Sequence, residues 1–586
     1  MAVESKLLSG NEAVAQGAWE AGCLIGAGYP GTPSTEALEA FAKYDDVYAE
    51  WAPNEKVAFE VASGASMGGV RAMVTMKHVG VNVAADPLYS MSYIGVNGGL
   101  VLFAADDPGI FSSQNEQDSR FHALGARVPL LEPADPAEAK FYVKQAFAIS
   151  ERFDTPVIVR STVRLSHTKA VVECEDRADQ PRKEYEKNPV KWVMMPANAK
   201  VRRKFVDARV AELAEFNNAS VFVRADYRDT SIGVICAGVT YNHVREALPE
   251  ASVLKLGMTY PIPDQAILDF ASRVDKVYVV EEASNYLSMQ VKALGVELSE
   301  FVEPIPPDDE LSPGIVRRAF GIETPEFDRF DGALPPRPPA LCAGCPHRLV
   351  YSELRRMNAV VNGDIGCYTL GALAPLSSVD SVVDMGASLS MAHGMELARQ
   401  FSDKSIAIDG RPIVGVIGDS TFAHSGITSL LGTVYNQGSG TLCILDNRTT
   451  AMTGMQGNPV NGITLQNRPS RELDLVKLCE ALGVEDVQRV DSQNLADVRA
   501  ALKRAVASDG LSVIVFCSPC RLLVRTRKEP PTISDCKRCG ACLKIGCPAL
   551  GTDDEGHAKI DETQCIGCGQ CAQVCPFGCI SSEGRE

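Results

Sequence analysis

A chain of 586 residues is longer than one hydrophobic core supports, so several domains are expected. Hydrophobic residues make up 45% and charged residues 22%, as in ordinary globular proteins, and a formal net charge of −17 argues against a nucleic-acid partner. No apolar run approaches the roughly 18 residues of a membrane helix, and the opening Met1-Ala-Val-Glu-Ser-Lys lacks the basic-then-apolar pattern of a secretory leader. The expectation is a cytoplasmic protein without membrane insertion. In that reducing compartment the 19 cysteines are poor disulfide candidates, and their clustering points to metal ligation.

Residues 1–170 alternate short apolar runs, expected as buried parallel strands at 73–77, 100–104 and 156–160, with helical stretches at 54–67 and 136–150. That alternation predicts a doubly wound α/β domain. Three features could carry chemistry. Gly28-Tyr-Pro-Gly-Thr-Pro-Ser34 is a turn-rich loop after a short apolar strand, with Thr32 at its centre. Asn54-Glu55-Lys-Val-Ala-Phe-Glu60 starts a helix and offers two acids, Glu55 and Glu60. A helix-starting Glu is by itself only a favourable dipole partner. Lys77 and His78 close a predicted strand and would project at its carboxyl end, although a strand-end His is also commonly structural.

Residues 171–230 are charge-dense and weakly periodic, as in Pro181-Arg-Lys-Glu-Tyr-Glu-Lys187, and are expected to form a connecting excursion. A second α/β domain is expected over 231–330, with strands in Ser231-Ile-Gly-Val-Ile-Cys236 and Lys276-Val-Tyr-Val-Val280. Leu334-Pro-Pro-Arg-Pro-Pro339 should run as stiff polyproline. A third α/β domain is expected over 331–530, with strands at 412–417 and 441–445 ending in Gly418-Asp419-Ser420 and Asp446-Asn447. Both ends then lie at the carboxyl edge of a parallel sheet, where such sheets bind ligands. An Asp, an Asn side chain and a main-chain carbonyl are hard oxygen donors suited to magnesium, and helix N-termini suit a diphosphate.

The tail, 531–586, holds a duplicated cysteine run: Cys536-x2-Cys539-x2-Cys542-x4-Cys547-Pro, then Cys565-x2-Cys568-x2-Cys571-x3-Cys575-Pro. Three cysteines at this spacing wrap one iron–sulfur cube and the fourth, before proline, reaches the other. One 4Fe-4S set is therefore Cys536, Cys539, Cys542 and Cys575, and the other is Cys565, Cys568, Cys571 and Cys547. Paired zinc sites are the bland alternative. Cys579 is surplus. A third set could form in the body from Cys342-Ala-Gly-Cys345, Cys367 and Cys520, the last just past a final strand at 513–516. Buried inert thiols or a zinc site remain open for these four.

The strand-end pair resembles the thiamine-diphosphate motif, with Ser420 and Asp446 in place of its usual Gly and Asn. Tyr29-Pro-Gly-Thr-Pro-Ser34, Met76-Lys-His-Val-Gly80, Asn82-Val-Ala-Ala-Asp-Pro87, Ser112-Ser-Gln-Asn-Glu-Gln-Asp-Ser-Arg120, Cys342-Ala-Gly-Cys-Pro-His-Arg348, Gly363-Asp-Ile-Gly-Cys367 and the tail occur together. In that order they resemble the α subunits of indolepyruvate ferredoxin oxidoreductases, a family of 2-oxoacid oxidoreductases, over essentially the whole chain. The resemblance implies a pyrimidine-binding domain at 1–170, a transketolase C-terminal-like domain at 231–330, a diphosphate-binding domain at 331–530 and a two-cluster ferredoxin domain. It implies Mg²⁺ on Asp419, Asn447 and the Thr449 carbonyl, with Gly418, Ser420, Gly386, Ser388 and His347 around the cofactor. Glu55, nine residues before Gly64 and Ala65, takes the place of the acid at N1′ of the aminopyrimidine. Thr32 takes the substrate carboxylate, with Lys77 and His78 nearby. The Cys342, Cys345, Cys367 and Cys520 set becomes a third 4Fe-4S cluster, the first electron acceptor. Coenzyme A as co-substrate, an aryl 2-oxoacid, ferredoxin and a smaller β subunit in an α2β2 assembly are further implications.

Overall fold

The computed structural model of the chain describes residues 4–324, 332–335, 338–401, 410–524 and 526–582 and falls into two compact units, Met1–Phe330 and Asp331–Glu586. The expected polyproline run includes residues 336 and 337, which lie outside the described residues. Among the described residues no helix is long and apolar enough to cross a membrane.

The first unit is built on a seven-stranded sheet. Its order is Met258–Tyr260, Leu130–Leu131, Val157–Thr162, Leu100–Asp106, Ala72–Lys77, Ile25–Gly28 and Tyr48–Trp51. All neighbours are parallel except Met258–Tyr260, which runs antiparallel to Leu130–Leu131. The central strands are buried at every residue, because helices cover both faces. Helix Pro136–Phe153 shows how local signals fix such a cover. Asp135 caps it by accepting from the Glu138 amide at 2.8 Å, Pro136 opens it, and left-handed Asp154 ends it.

The segment expected to be a connecting excursion contains a helix of 23 residues, Pro196–Asn218. Its buried positions, Arg202, Val206, Arg209, Leu213 and Asn217, recur at helical spacing, but three of the five are polar. They are buried because they satisfy main-chain carbonyls of the first sheet's connections. Arg209 donates to the carbonyls of Ser92, Asp154 and Arg127 at 2.9–3.2 Å, and Asn217 donates to those of Met258 and Pro261 at 2.9 Å. Around the region 231–330 a four-stranded sheet forms, Val277–Val280, Asp229–Ala237, Ala251–Leu256 and Val223–Asp226, and Met258–Tyr260 joins the first sheet.

A buried ion network joins these two layers. Arg120 pairs with Asp118 at 2.6 Å and Glu281 at 3.2 Å, and donates to the Glu282 carbonyl at 2.9 Å. Arg160 pairs with Asp106 and Glu132, each at 2.6 Å. The second unit carries a five-stranded parallel sheet, ordered Val360–Asn362, Ile413–Gly418, Gly440–Asp446, Leu511–Cys517 and Asp486–Asp491. The tail adds two small antiparallel ribbons, Thr532–Ile533 with Ile580–Ser581 and Leu550–Thr552 with Ala558–Ile560.

Breaking a buried pair strands the partner's charge. Arg120→Met should therefore destabilise the first unit by roughly 3–5 kcal/mol, read as a lower denaturant midpoint. Loss under 1 kcal/mol, on the order of a surface pair, would show that the network does not hold the layers together.

Candidate active site

In the first unit, strand Ala72–Lys77 carries Lys77 as its last residue, buried, with its ammonium donating to the Ser112 carbonyl at 3.1 Å. Burial lowers its pKa, while the charges of Asp107 and Glu55 raise it. The Lys77 stem lies over Gly31, where a Cβ would stand 3.1 Å from its Cγ and Cδ. Gly31 belongs to the Thr32 loop, which is tied down by Gly31 N–H to Thr35 Oγ1 at 2.9 Å and by Asn11 to the Pro33 carbonyl at 2.7 Å. Glu55 begins helix Glu55–Met67, with Asn54 as its cap. It is buried, and a Cβ on Gly80 would come within 2.6 Å of its Cγ, so glycine makes room for the carboxylate. Glu60, the alternative acid, is exposed and pairs with Lys56 one turn earlier.

His78 is fully buried at the head of helix His78–Val83, with Nε2 3.1 Å from the Asn115 carbonyl. A carbonyl only accepts, so Nε2 carries the proton and Nδ1 is a bare acceptor without a partner. Burial lowers its pKa and keeps the ring neutral. The first unit thus gathers Thr32, Glu55 and Lys77, with His78 and Lys77 both held under the Ser112–Asn115 stretch.

In the second unit the sheet's register sets Gly418 opposite Leu445, so Asp419 and Asp446 leave adjacent strand ends. Asp419 is buried, and its Oδ2 has no hydrogen-bond partner. Burial and the neighbouring Asp446 carboxylate hold its pKa well above the ordinary range. Ser420 N–H donates to Asp419 Oδ1 at 2.7 Å, and the Thr450 hydroxyl donates to Ser420 Oγ at 2.9 Å. Asn447 Oδ1 accepts from Thr449 N–H at 3.2 Å, and the buried Asn458 side chain lies beside Asp419 and favours its charged form. Two buried carboxylates, a side-chain amide and main-chain oxygens form a hard, anionic donor set that a divalent cation fits.

Gly386, at φ +98°, precedes helix Ala387–Phe401. The amides of Gly386 and Ser388 donate to Asp364 at 2.8 and 3.1 Å, so the Asp364 carboxylate occupies this turn, and the buried Ser388 hydroxyl faces the same carboxylate. His347 stacks edge-on against Tyr368, with ring centroids 6.2 Å apart, and burial lowers its pKa to about 4. The Tyr368 ring fills the space that a Cβ on Gly366 or Gly418 would enter, 2.3 and 2.5 Å away, and its hydroxyl meets Thr421 at 3.0 Å. Sequence reasoning assigned no role to Asp364, Tyr368 or Asn458. Asp364 lies inside the quoted Gly363-Asp-Ile-Gly run, which was the available signal; Tyr368 and Asn458 carried none.

The tail cysteines fall into two groups. Cys542 neighbours Cys536, Cys539 and Cys575, and these four line one cavity. Cys571 feels Cys568, Cys565 and Cys547, and these four line another. Among the described residues no three His, Cys, Asp or Glu side chains converge on a single ion. Cys579 lines the first cavity and donates to the Asp535 carbonyl at 3.3 Å. In the body, Cys367 feels Cys520 and Cys342, and Cys345 feels Cys342 and Cys367. Cys520 N–H donates to the Asn447 carbonyl at 2.9 Å, which fixes this set beside the Asp419 strand end.

The tail is not loosely tethered, contrary to what its proline-containing connection suggests. Gly344, at φ +70°, faces Ile566 so closely that a Cβ would stand 2.2 Å from its Cδ1. Gln570 donates to the Cys345 carbonyl at 3.0 Å and to Gln493 at 2.7 Å.

Comparison with known proteins agrees with this layout. Residues 16–220 match the family described as pyruvate flavodoxin/ferredoxin oxidoreductase, thiamine diP-binding. Residues 364–516 match the thiamine pyrophosphate enzyme C-terminal TPP-binding domain, and residues 558–581 a 4Fe-4S binding domain. The chain is 39% identical to indolepyruvate oxidoreductase subunit IorA of Archaeoglobus fulgidus, covering 98% of this chain and 97% of that one. It is 38% identical to the Pyrococcus abyssi IorA subunit, over 98% and 96%. The 2-oxoglutarate synthase subunit KorA of Archaeoglobus fulgidus matches at 24% identity, over 50% of this chain and 91% of its own.

The Asp419 carboxylate generates a pH-dependent prediction. A buried carboxylate with a raised pKa costs nothing while both folded and unfolded states are protonated. The cost grows as pH rises above the ordinary carboxylate range and levels off above the folded value. In metal-free protein, Asp419→Asn should therefore stabilise the second unit by roughly 1–3 kcal/mol at about pH 8 and by little near pH 4. Urea unfolding at both pH values checks this, and equal effects at the two would refute it. Added Mg²⁺ with the cofactor should reverse the order.

Proposed function

Because the chain belongs to the family of indolepyruvate oxidoreductase IorA subunits, we propose that it oxidatively decarboxylates aryl 2-oxoacids such as indolepyruvate and phenylpyruvate. Membership makes it a thiamine-diphosphate- and iron–sulfur-dependent 2-oxoacid:ferredoxin oxidoreductase. The finer reading adds coenzyme A as acyl acceptor, a smaller β subunit in an α2β2 assembly, and the residue roles below. In the overall reaction, 2-oxoacid and coenzyme A give acyl-CoA, CO₂ and a proton, and two electrons pass to ferredoxin.

Bound thiamine diphosphate supplies the electron sink that lets a 2-oxoacid lose CO₂. Asp419, Asn447 and the Thr449 carbonyl would hold Mg²⁺, and with it the diphosphate, while Gly418 and Ser420 keep that strand end narrow. Glu55 is the proton-sharing acid for N1′ of the aminopyrimidine; its burial behind Gly80 keeps water from competing for that hydrogen bond. Thr32 offers a hydroxyl to the substrate carboxylate, and Lys77 offers its charge. His78, neutral with Nδ1 bare, can accept a proton there.

One observation carries the oxidative reading: Cys520 is hydrogen-bonded through its amide to Asn447. A residue of the proposed electron acceptor thus shares a strand end with a residue of the proposed metal site. A non-oxidative thiamine decarboxylase has no use for that adjacency. On this reading Cys342, Cys345, Cys367 and Cys520 hold a third 4Fe-4S cluster, beside Cys565, Cys568, Cys571 and Cys547 of the tail, with Cys536, Cys539, Cys542 and Cys575 outermost.

Anaerobic dye reduction by the chain with its small subunit tests the substrate. The arylpyruvates should show the highest kcat/KM and require coenzyme A for sustained turnover. A clear preference for pyruvate or 2-oxoglutarate would sink the aryl assignment. Glu55→Gln should retain the cofactor yet lose about 10²–10⁴ in kcat, whereas Glu60→Gln should stay near wild type. The opposite pattern would transfer the role to Glu60.

A further inference from the structure

Arg348 opens helix Arg348–Arg356 and is 1% exposed. Its guanidinium donates to the carbonyls of Leu341, Cys342 (3.0 and 3.1 Å) and Ile545 (2.8 Å). Among the described residues no carboxylate pairs with it, whereas the buried Arg120 is met by two and Arg160 by three. The ionisable groups around it are thiols: Cys345, Cys547, Cys342 and Cys568. Two of these belong to the body's cysteine set and two to the inner set of the tail.

Main chain that carries the cysteines approaches closely here. A Cβ on Gly546, next to Cys547, would stand 3.3 Å from Arg348 Nη1 and 3.0 Å from Pro375. A Cβ on Gly344, between Cys342 and Cys345, would stand 3.4 Å from the Cys568 Cβ. A buried guanidinium served only by neutral carbonyls is costly. The same guanidinium between two thiolate-ligated clusters is compensated on both sides.

We propose that Arg348 is the shared counter-charge of the two neighbouring iron–sulfur clusters, raising the reduction potential of both and clamping the tail to the body. This rests on the three-cluster reading under Proposed function. A fixed positive charge stabilises the reduced, more negative form of a cluster, so its removal makes reduction harder. Because the charge lies between the two clusters, it lowers both levels together and keeps electron passage between them near level.

The test uses the full chain with its small subunit, purified anaerobically, as wild type, Arg348→Lys and Arg348→Gln. Iron and sulfide analysis comes first. About twelve irons per chain supports three cubes, and about eight refutes the three-cluster reading and the shared role with it. Spectroscopic redox titration then reads each cluster. In Arg348→Gln the two inner clusters should become harder to reduce by tenfold or more in equilibrium constant, about 59 mV for one electron. The outermost cluster should be unmoved, and Arg348→Lys should stay near wild type. Loss of inner-cluster iron in Arg348→Gln but not in Arg348→Lys also supports the role. Unmoved potentials at full iron content in Arg348→Gln overturn it, as does equal iron loss in both variants, because shape and not charge would then be what matters.

Discussion

A charge taken out of water must be met by an opposite one, and this constraint organises both units. In the first, Arg120 and Arg160 are enclosed by Asp106, Asp118, Glu132 and Glu281, so the protein neutralises itself and two sheets are locked together. In the second, the buried charges do not cancel within the protein. Asp419 stands beside Asp446 with one oxygen unpartnered, and Arg348 stands among thiols and carbonyls. One excess is negative, at a sheet edge; the other is positive, between cysteine sets.

Close approach is the second recurring device. Glu55 lies against Gly80, Lys77 against Gly31, Tyr368 against Gly366 and Gly418, and Ile566 against Gly344. At each of these positions a methyl group would displace the functional neighbour. Only Gly344 among them has a left-handed backbone, so at the others glycine is required for space and not for conformation. The glycines in the quoted motifs are therefore negative images of the side chains beside them.

Much of this was legible in the sequence because it depends on spacing. The tail's cysteine repeat divides eight thiols into two sets by spacing alone, and the same groupings line two cavities. Uninterrupted apolar runs marked the parallel strands, since both sheet faces are covered. Helix Pro196–Asn218 was not legible, because its buried stripe contains two arginines and an asparagine serving carbonyls distant in sequence. Arg348 was hidden for the same reason: nothing local distinguishes an arginine bound for a protein interior from one bound for solvent. Asp364, Tyr368 and Asn458 act through contacts that exist only after the strand ends meet.

The strand Met258–Tyr260 has a bearing on how the chain is made. It completes an edge of the first sheet beside Leu130–Leu131, yet it belongs to a much later stretch of sequence. During synthesis from the N-terminus that edge must wait, with main-chain groups unpaired, until the later segment leaves the ribosome. The Pro196–Asn218 helix emerges in the interval and carries Asn217, which binds the carbonyls of Met258 and Pro261. One side chain thus ties the helix to the strand it meets, and this edge of the first sheet is closed only when the segment around residue 260 is present.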